Sequence, residues 1–273
     1  MTAAIAIPLP KMQRARGEGR IVATTRDGKT EVARLYQEGC AKIRLPHTHD
    51  DGLQAVLMNT AGGLTGGDRV RWSATAGAGA KLTLTTPACE RVYRSIGGDA
   101  LVENRLTAEA GAHLDWLPQE TILFEDARLD RRLDVDLAEG ATLTAVEAVL
   151  LGREAMGEGA WRAQLRDNWR IRRDGRLIHA EATLLSADPR ERSGSSLLNG
   201  ALAFATVLHV SPHAERKLDA VRALLPETGG ASLVGERLTV RLLAASGLAL
   251  RRSLSPIIAL LSNAGSLPRL WTF

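Results

Sequence analysis

The chain is poor in aromatic side chains and in cysteine, and each shortage excludes a class of structure. Phe, Trp and Tyr make up 4% of the 273 residues, so aliphatic side chains must build the core. The two cysteines, Cys40 and Cys89, lie far apart and form no Cys-x-x-Cys pair. A disulfide framework and a cysteine-rich structural zinc site are therefore not expected.

Long apolar runs are also lacking. No run reaches the ~18 residues that a membrane-spanning helix needs, so no membrane partner is expected. Residues 1–10 carry no charge ahead of a short apolar stretch, unlike a secretory signal. We therefore expect a cytoplasmic protein, and we interpret residues 1–273 as one domain.

The charge pattern does not indicate a polyanionic partner. The formal net charge is +4, and basic and acidic residues are interleaved along the chain. Residues 166–176 are the densest basic stretch, but their arginines alternate with other residues, as on a strand with one solvated face. No nucleic-acid-binding motif accompanies them, so nucleic acid is not an expected partner.

A weak repeat runs through the first half of the chain. Runs of alternating apolar and polar residues, which are typical of strands, precede a Gly and a small residue, after which a further strand-like run begins. Gly39 belongs to the first copy, and Gly79, Gly111 and Gly140 follow about 30 residues apart. Recurring β units at this spacing predict a mostly β fold, built as a solenoid-like or layered stack of strands.

Helical periodicity is confined to the C-terminal third. Apolar residues share one face of residues 213–225 and of residues 248–261, which predicts about two α-helices, with Pro256 kinking the second helix or delaying its start. Between the repeat and these helices, Asp174-Gly175 predicts a tight hairpin. Residues 187–196, which are polar and include Pro189 and Gly194, are interpreted as a loop, and residues 197–210 as a buried pair of strands.

The densest glycine cluster is the loop Gly62-Gly63-Leu64-Thr65-Gly66-Gly67-Asp68, which connects two strand-like runs. A phosphate-binding loop would require a Lys after the last Gly and a helix behind it. Here Asp68 follows, and its charge should repel phosphate. The glycines instead predict tight turns and a close approach of backbone segments.

The best metal-ligand candidates are His47 and His49. Residues two apart on an extended chain point the same way, and imidazole binds nickel, copper and zinc. A solvated loop between strands is the alternative interpretation. Two ligands alone hold a metal only transiently.

No catalytic arrangement stands out. His113, His179 and His209 are isolated in strand-like segments, and no serine lies in a Gly-x-Ser-x-Gly context. Glu120, Glu125 and Asp126 form a carboxylate cluster that suits a hydrolase as an alternative function. A β-rich structural module is a further alternative.

Four segments together resemble the urease accessory protein family UreD, also called UreH. They lie in the same order as in the family and span most of the chain. The family's usual residues differ at Thr60-Ala61 and at Glu90-Arg91. The segments are Gly62 to Asp68, Thr86-Pro87-Ala88 with Val92-Tyr93-Arg94-Ser95, Pro118-Gln119-Glu120 with Ile122 and Phe124, and Pro268-Arg269-Leu270-Trp271.

The resemblance implies a non-catalytic maturation factor with a mostly β fold. Family members bind the urease structural subunits and the accessory proteins UreF and UreG, and the assembly inserts nickel into urease. No tightly bound cofactor is expected, and nickel is expected at most in transit. A nickel route through a β body needs polar groups that release the ion, and Asp68, Glu120 and His113 are the candidates for it.

Overall fold

The computed structural model describes residues 13–47, 51–262 and 267–272. In these residues the chain forms seventeen β-strands and three α-helices, numbered here in chain order. The first eight strands are β1 Arg16–Arg26, β2 Lys29–Gly39, β3 Ala41–Arg44, β4 Leu53–Asn59, β5 Arg69–Ala76, β6 Lys81–Thr85, β7 Glu90–Val92 and β8 Ala100–Ala108. The next nine are β9 His113–Leu117, β10 Thr121–Leu123, β11 Arg128–Leu137, β12 Thr142–Leu151, β13 Gln164–Arg173, β14 Arg176–Leu185, β15 Ala203–Val210, β16 Gly229–Val234 and β17 Arg237–Ala244. The helices are α1 Pro189–Ser193, α2 Glu215–Ala223 and α3 Gly247–Leu261.

The strands form two sheets that face each other across an aliphatic core. One sheet has the order β14-β13-β11-β8-β5-β1-β2, and the other has the order β16-β17-β15-β12-β9-β6-β4-β3, with β7 and β10 beside β12. From β4 to β13 the chain alternates between the sheets, and successive coils pair in parallel. The result is a solenoid of about four coils, which confirms the fold class that the repeat predicts.

The recurring glycines lie at the corners of these coils. Gly79, Gly111 and Gly140 have φ angles of +65°, +65° and +69°. The corners also stack, because the Gly79 N–H donates to the Ala110 carbonyl and the Gly111 N–H donates to the Glu139 carbonyl, each at 3.0 Å. The weak sequence repeat therefore marks one corner of each coil.

A third, shorter side of the solenoid is formed by β7, β10 and the last residues of β12, which pair in parallel. Leu64 in the glycine loop extends this side through a parallel bridge to Val92. The glycine loop, the residues after Thr86 and the residues after Pro118 are therefore stacked on consecutive coils.

Helices α2 and α3 cover the outer face of the ten-stranded sheet. Leu250, Leu254 and Ile257 of α3 are fully buried there, in a second core that also contains Trp271. The hydroxyl of Ser246 caps α3 by accepting from the Ala249 N–H at 3.1 Å. The helix begins at Gly247, so Pro256 does not delay its start. No helix in the described ranges is long and apolar enough to cross a membrane.

Two local features differ from the sequence-based expectations, and one agrees. Residues 197–210 contain a single strand, β15, which β12 and β17 flank on either side, and residues 197–202 are not part of a strand. The short helix α1 lies where a loop is expected, begun by the Asp188 side chain and Pro189. The β13–β14 hairpin turns at Asp174 and Gly175, with φ angles of +48° and +76°, which confirms the turn.

Candidate functional site

A cavity of about 60 Å³, whose wall is mostly apolar but includes several buried polar side chains, lies between the two sheets. A cavity of this size has room for a few water molecules. Its wall includes residues from three of the four segments that carry the family resemblance. The lining residues are Leu64, Val70, Trp72, Thr86, Glu90, Val102, Asn104, Trp116, Pro118, Gln119, Thr121, Leu129, Arg131 and Glu147.

Arg131 organises the charged side of this cavity. It is 4% exposed, and its guanidinium contacts Glu147 at 2.5 Å and Asp167 at 2.6 Å. Arg131 and Asp167 are direct neighbours on β11 and β13, whereas Glu147 comes from the opposite sheet. Trp116 Nε1 donates to the Glu147 carboxylate at 3.0 Å. The network thus ties the two sheets together through buried charge.

The pKa values of this network reflect competition between burial and pairing. Burial raises the pKa of Glu147 to about 7. The charge of Arg131 lowers this pKa, but the nearby Asp167 carboxylate, which shares the same guanidinium, raises it. Burial opposes the charge of Arg131, but the Asp167 and Glu147 carboxylates raise its pKa above the ordinary value. The guanidinium therefore stays charged, while burial favours the protonated form of Glu147.

Asn104 gives the cavity unsatisfied hydrogen-bonding capacity. The side chain lies on β8, is 1% exposed, and its oxygen and nitrogen have no hydrogen-bond partner in the described part of the chain. A buried amide without partners costs about 1–3 kcal/mol. Such a group suits a cavity that admits water or a hydrated ion.

Glu90 is the second carboxylate on the cavity wall with a shifted pKa. Burial raises its pKa to about 7, while hydrogen bonds, including one from Asn59, work in the opposite direction. The Asn59 Nδ2 group lies 3.3 Å from both carboxylate oxygens. Burial therefore favours the protonated form of Glu90 more than in a solvated carboxyl group.

Glu120, a predicted conduit residue, lies beside the cavity and is held by α3. It is 2% exposed, and Arg251 contacts both of its carboxylate oxygens, with Nε at 2.9 Å from one of them. Arg251 also donates to the side-chain oxygen of Gln119 and stacks over Trp271 at 5.2 Å from the ring centre. Glu120 thus anchors α3 and the C-terminal segment to the third side of the solenoid.

Asp68 and His113, the other two conduit candidates, do not line the cavity. Asp68 is 4% exposed and accepts from the main-chain N–H groups of Ala15 and Thr65, both at 2.8 Å. His113 Nδ1 lies 2.7 Å from the Thr142 hydroxyl, and burial, followed by Lys81, lowers its pKa. The structure therefore does not bring the three candidates into one site.

The predicted metal pair is only partly described. His47 is exposed, and His49 lies outside the described residues. Within the described ranges, no group of three or more His, Cys, Asp or Glu side chains is placed to hold a metal ion. Any nickel contact of this pair stays a prediction.

Comparison with known proteins decides the family. Residues 15–272 match the model of the family described as UreD urease accessory protein. The chain belongs to this family. A urease accessory protein UreD from Chelativorans sp. (strain BNC1) is 61% identical over 269 residues, covering 98% of this chain and 97% of that protein. A urease accessory protein UreD from Agrobacterium fabrum (strain C58) is 51% identical over 262 residues, covering 96% and 92%.

Contacts with the segment around Tyr93 explain why the loop from Gly62 to Asp68 needs glycine at some positions. A Cβ on Gly63 would lie 2.4 Å from the Tyr93 ring and 2.8 Å from the Arg91 carbonyl oxygen, whereas Gly62 faces open space. The Tyr93 hydroxyl donates to the Gly62 carbonyl at 3.2 Å. Gly67 has φ of +91° and meets only the flexible Arg14 side chain. Close backbone approach is therefore greatest at Gly63 and at Gly66, not at Gly67.

Tyr93 and Arg94 continue from this loop to the next coil. The Tyr93 ring packs edge-on against Phe124 with ring centres 5.0 Å apart. Arg94 lies 3.5 Å from the Asp126 carboxylate. Arg162 also pairs with Asp126 at 2.7 Å, and these contacts lower the pKa of Asp126.

The carboxylates proposed for a hydrolase are all engaged, Glu120 by Arg251 and both Glu125 and Asp126 by Arg162. Glu125 also accepts from the Trp161 N–H at 2.7 Å. A catalytic acid needs a raised pKa, whereas the pKa of Asp126 is lowered. The cluster therefore gives no support to the hydrolase alternative.

The sequence analysis missed Asn104, Arg131 and Glu147. The sequence contained a signal for Arg131. Buried and more exposed residues alternate along β11, and its other inward positions hold aliphatic residues such as Leu129 and Leu133. A charged residue at an inward strand position predicts a buried partner. Its partners belong to other strands, so the pattern could not identify them.

The raised pKa of Glu90 predicts a pH-dependent stability difference. The pKa of Glu90 is near 4.5 in the unfolded chain, so the folded state binds this proton more tightly than the unfolded chain does. The free energy of unfolding should therefore fall as the pH rises from about 4.5 to 7 and Glu90 ionises. Glu90→Gln should then stabilise the protein by about 2 kcal/mol at pH 8 and by little at pH 4.5. Urea unfolding at both pH values measures this, with the exposed Glu139→Gln as control. Equal gains at both pH values would contradict the assignment.

Proposed function

We propose that this chain is a cytoplasmic, non-catalytic maturation factor for urease, which binds apo-urease together with UreF and UreG while nickel is inserted. The observation that carries this proposal is the family match over residues 15–272, together with relatives that are named urease accessory proteins along nearly their whole length. The polar side chains on the wall of the cavity between the sheets support a role in nickel transit. They present oxygen ligands without a complete coordination set, so an ion would pass instead of being stored.

In this proposal the ion meets Glu90, Asn104 and Glu147 inside the solenoid. Two carboxyl groups with pKa near 7 can exchange a proton for a divalent cation at the pH of the cytoplasm. Glu120 contributes by holding Gln119 in the cavity wall through Arg251. Asp68 and His113 stay candidates for the ends of the route.

The maturation role is tested by co-expressing the urease subunits, UreF and UreG with and without this chain. We expect both the nickel content and the activity of purified urease to fall severalfold without it. Equal nickel content and activity in its absence would overturn the proposed function.

The route is tested by Asn104→Leu, which replaces the unsatisfied amide by an apolar group of similar size. The variant should remain folded, because it removes two buried polar atoms without partners. We expect urease to receive less nickel while the maturation complex still assembles. The control is Asn168→Leu, on the outward face of β13. If Asn104→Leu matures urease as well as the control does, nickel does not pass this cavity.

A further inference from the structure

The outer face of the seven-stranded sheet carries charges that largely neutralise one another. Residues on adjacent parallel strands lie about 4.8 Å apart, so their side chains form rows across the sheet. One row runs from Glu18 to Arg71, Glu103 and Arg132. The ion pairs on this face include Arg20–Glu18, Arg71–Glu103, Arg105–Glu103, Arg132–Asp130, Arg166–Asp130 and Arg172–Asp134.

The row at the start of β1 and β5 departs from this pattern, as do Arg26 and Lys29 beside the β1–β2 turn. Arg16 on β1 and Arg69 on β5 are direct neighbours, both are exposed, and neither lies within 4 Å of a carboxylate in the described residues. Arg14 lies beside the same loop, near Gly67. Like charges side by side on a sheet destabilise it. The twelve residues before Gln13 contain no Asp or Glu that could compensate them.

Asp68 does not neutralise these arginines. Its two carboxylate oxygens accept from the main-chain N–H groups of Ala15 and Thr65, and only 4% of the residue is exposed. The expectation that Asp68 repels phosphate stays a prediction, but its carboxylate is turned away from the exposed arginines. The surface around the glycine loop is cationic.

The geometry favours spaced carboxylates over phosphate. The N–H groups of Leu64, Gly67 and Asp68 donate to main-chain oxygens of the protein, so these three groups are not free to cradle a phosphate. Arg16 and Arg69 instead border an open depression of about 370 Å³ on the sheet.

The same depression is open to solvent and is lined by arginine and glutamate side chains and by the main chain at Gly17 and Gly39. Its two acids already have partners, since Glu18 binds Arg20 and Glu38 accepts from the Tyr36 hydroxyl. The shape and the charge together suit an extended or helical segment of a protein that presents acidic side chains.

We propose that Arg14, Arg16 and Arg69 form a docking surface, the arginine patch, for an acidic segment of a partner protein in the urease maturation assembly. The proposal rests on the proposed function for its partners. In this contact, acidic side chains of the partner pair with Arg16 and Arg69 at the end of the solenoid that carries the glycine loop.

The test uses the full chain with Arg16→Glu and Arg69→Glu together. Purified apo-urease and purified UreF–UreG serve as separate probes at 50 and 300 mM NaCl. We expect at least tenfold weaker binding to one probe at the lower salt, and a smaller loss of binding on raising the salt than in the unmodified chain. The control is Arg216→Glu with Arg252→Glu, which makes the same change in net charge on exposed arginines of α2 and α3.

Unchanged affinity for both probes at both salt concentrations would overturn the arginine patch. So would a loss of binding to double-stranded DNA or to inorganic phosphate while both protein probes bind normally. A different result would overturn the proposed function: urease whose nickel content is unchanged when this chain is omitted. A chain that is required for maturation but tolerates both charge reversals would reject only the patch.

Discussion

Replacing Arg131 by Met should lower the free energy of unfolding by about 3–5 kcal/mol, because the change leaves buried Glu147 and Asp167 without their shared cation. Met keeps the length and apolar volume of the side chain, so the loss measures charge more than packing. The penalty should shrink at pH 5, because Glu147, with a pKa near 7, is then neutral. Urea denaturation followed by circular dichroism at pH 8 and pH 5 measures both effects.

The matched control is Arg132→Met, one residue further along β11. Arg132 points outward, is exposed, and pairs with Asp130 only at 3.6 Å, so its removal should change stability by no more than about 0.5 kcal/mol. Equal losses from both variants would mean that the buried network does not hold the two sheets together. Combining Arg131→Met with Glu147→Leu and Asp167→Leu should recover much of the loss, since no unpaired buried charge remains.

Gly66→Ala should destabilise the protein by about 1–3 kcal/mol through overpacking. The added Cβ would lie 2.0 Å from the Ser95 hydroxyl oxygen and 2.5 and 2.6 Å from the carbonyl oxygens of Gly97 and Gly98. The serine side chain can rotate away, but the two carbonyl groups belong to the main chain of the facing loop. The thermal unfolding midpoint should therefore fall by several degrees.

Gly97→Ala is the control for this prediction, because it adds the same methyl group to the same pair of facing loops. A Cβ on Gly97 meets nothing within 4 Å, and neither Gly66 nor Gly97 has a positive φ angle. The control should be neutral to slightly stabilising. If Gly66→Ala unfolds at the same temperature as Gly97→Ala, the two loops separate more easily than the contacts indicate.

Several features of the fold could be predicted from local sequence. The alternation in β5, β8 and β11, the corner glycines and the Asp174-Gly175 turn each depend on neighbouring residues, so short windows contain the necessary information. The apolar faces of α2 and α3 are equally local, and both helices appear where they are predicted. The pair of strands predicted in residues 197–210 was wrong because apolar content alone does not count strands.

The candidate site was much less predictable. Glu120, Asp68 and His113 were chosen as polar residues near strand ends, but each is held by a different neighbour: Arg251, the N–H groups of Ala15 and Thr65, and Thr142. The lining of the cavity between the sheets instead depends on which inward-facing residues of different coils come into contact. Arg131 and Glu147 are sixteen positions apart in sequence and lie on opposite sheets, so no spacing rule connects them.

The glycine loop separates what the sequence predicts from what only the tertiary structure shows. The sequence by itself determined a glycine-rich connection between β4 and β5, the stacked β architecture and the family, because these follow from local pattern and from shared segments. Only the tertiary structure decided that Gly63 and Gly66 are the crowded positions and that Asp68 turns inward beneath cationic side chains. Those facts depend on the next coil and on the N-terminal strand, whose approach is set by the winding of the solenoid.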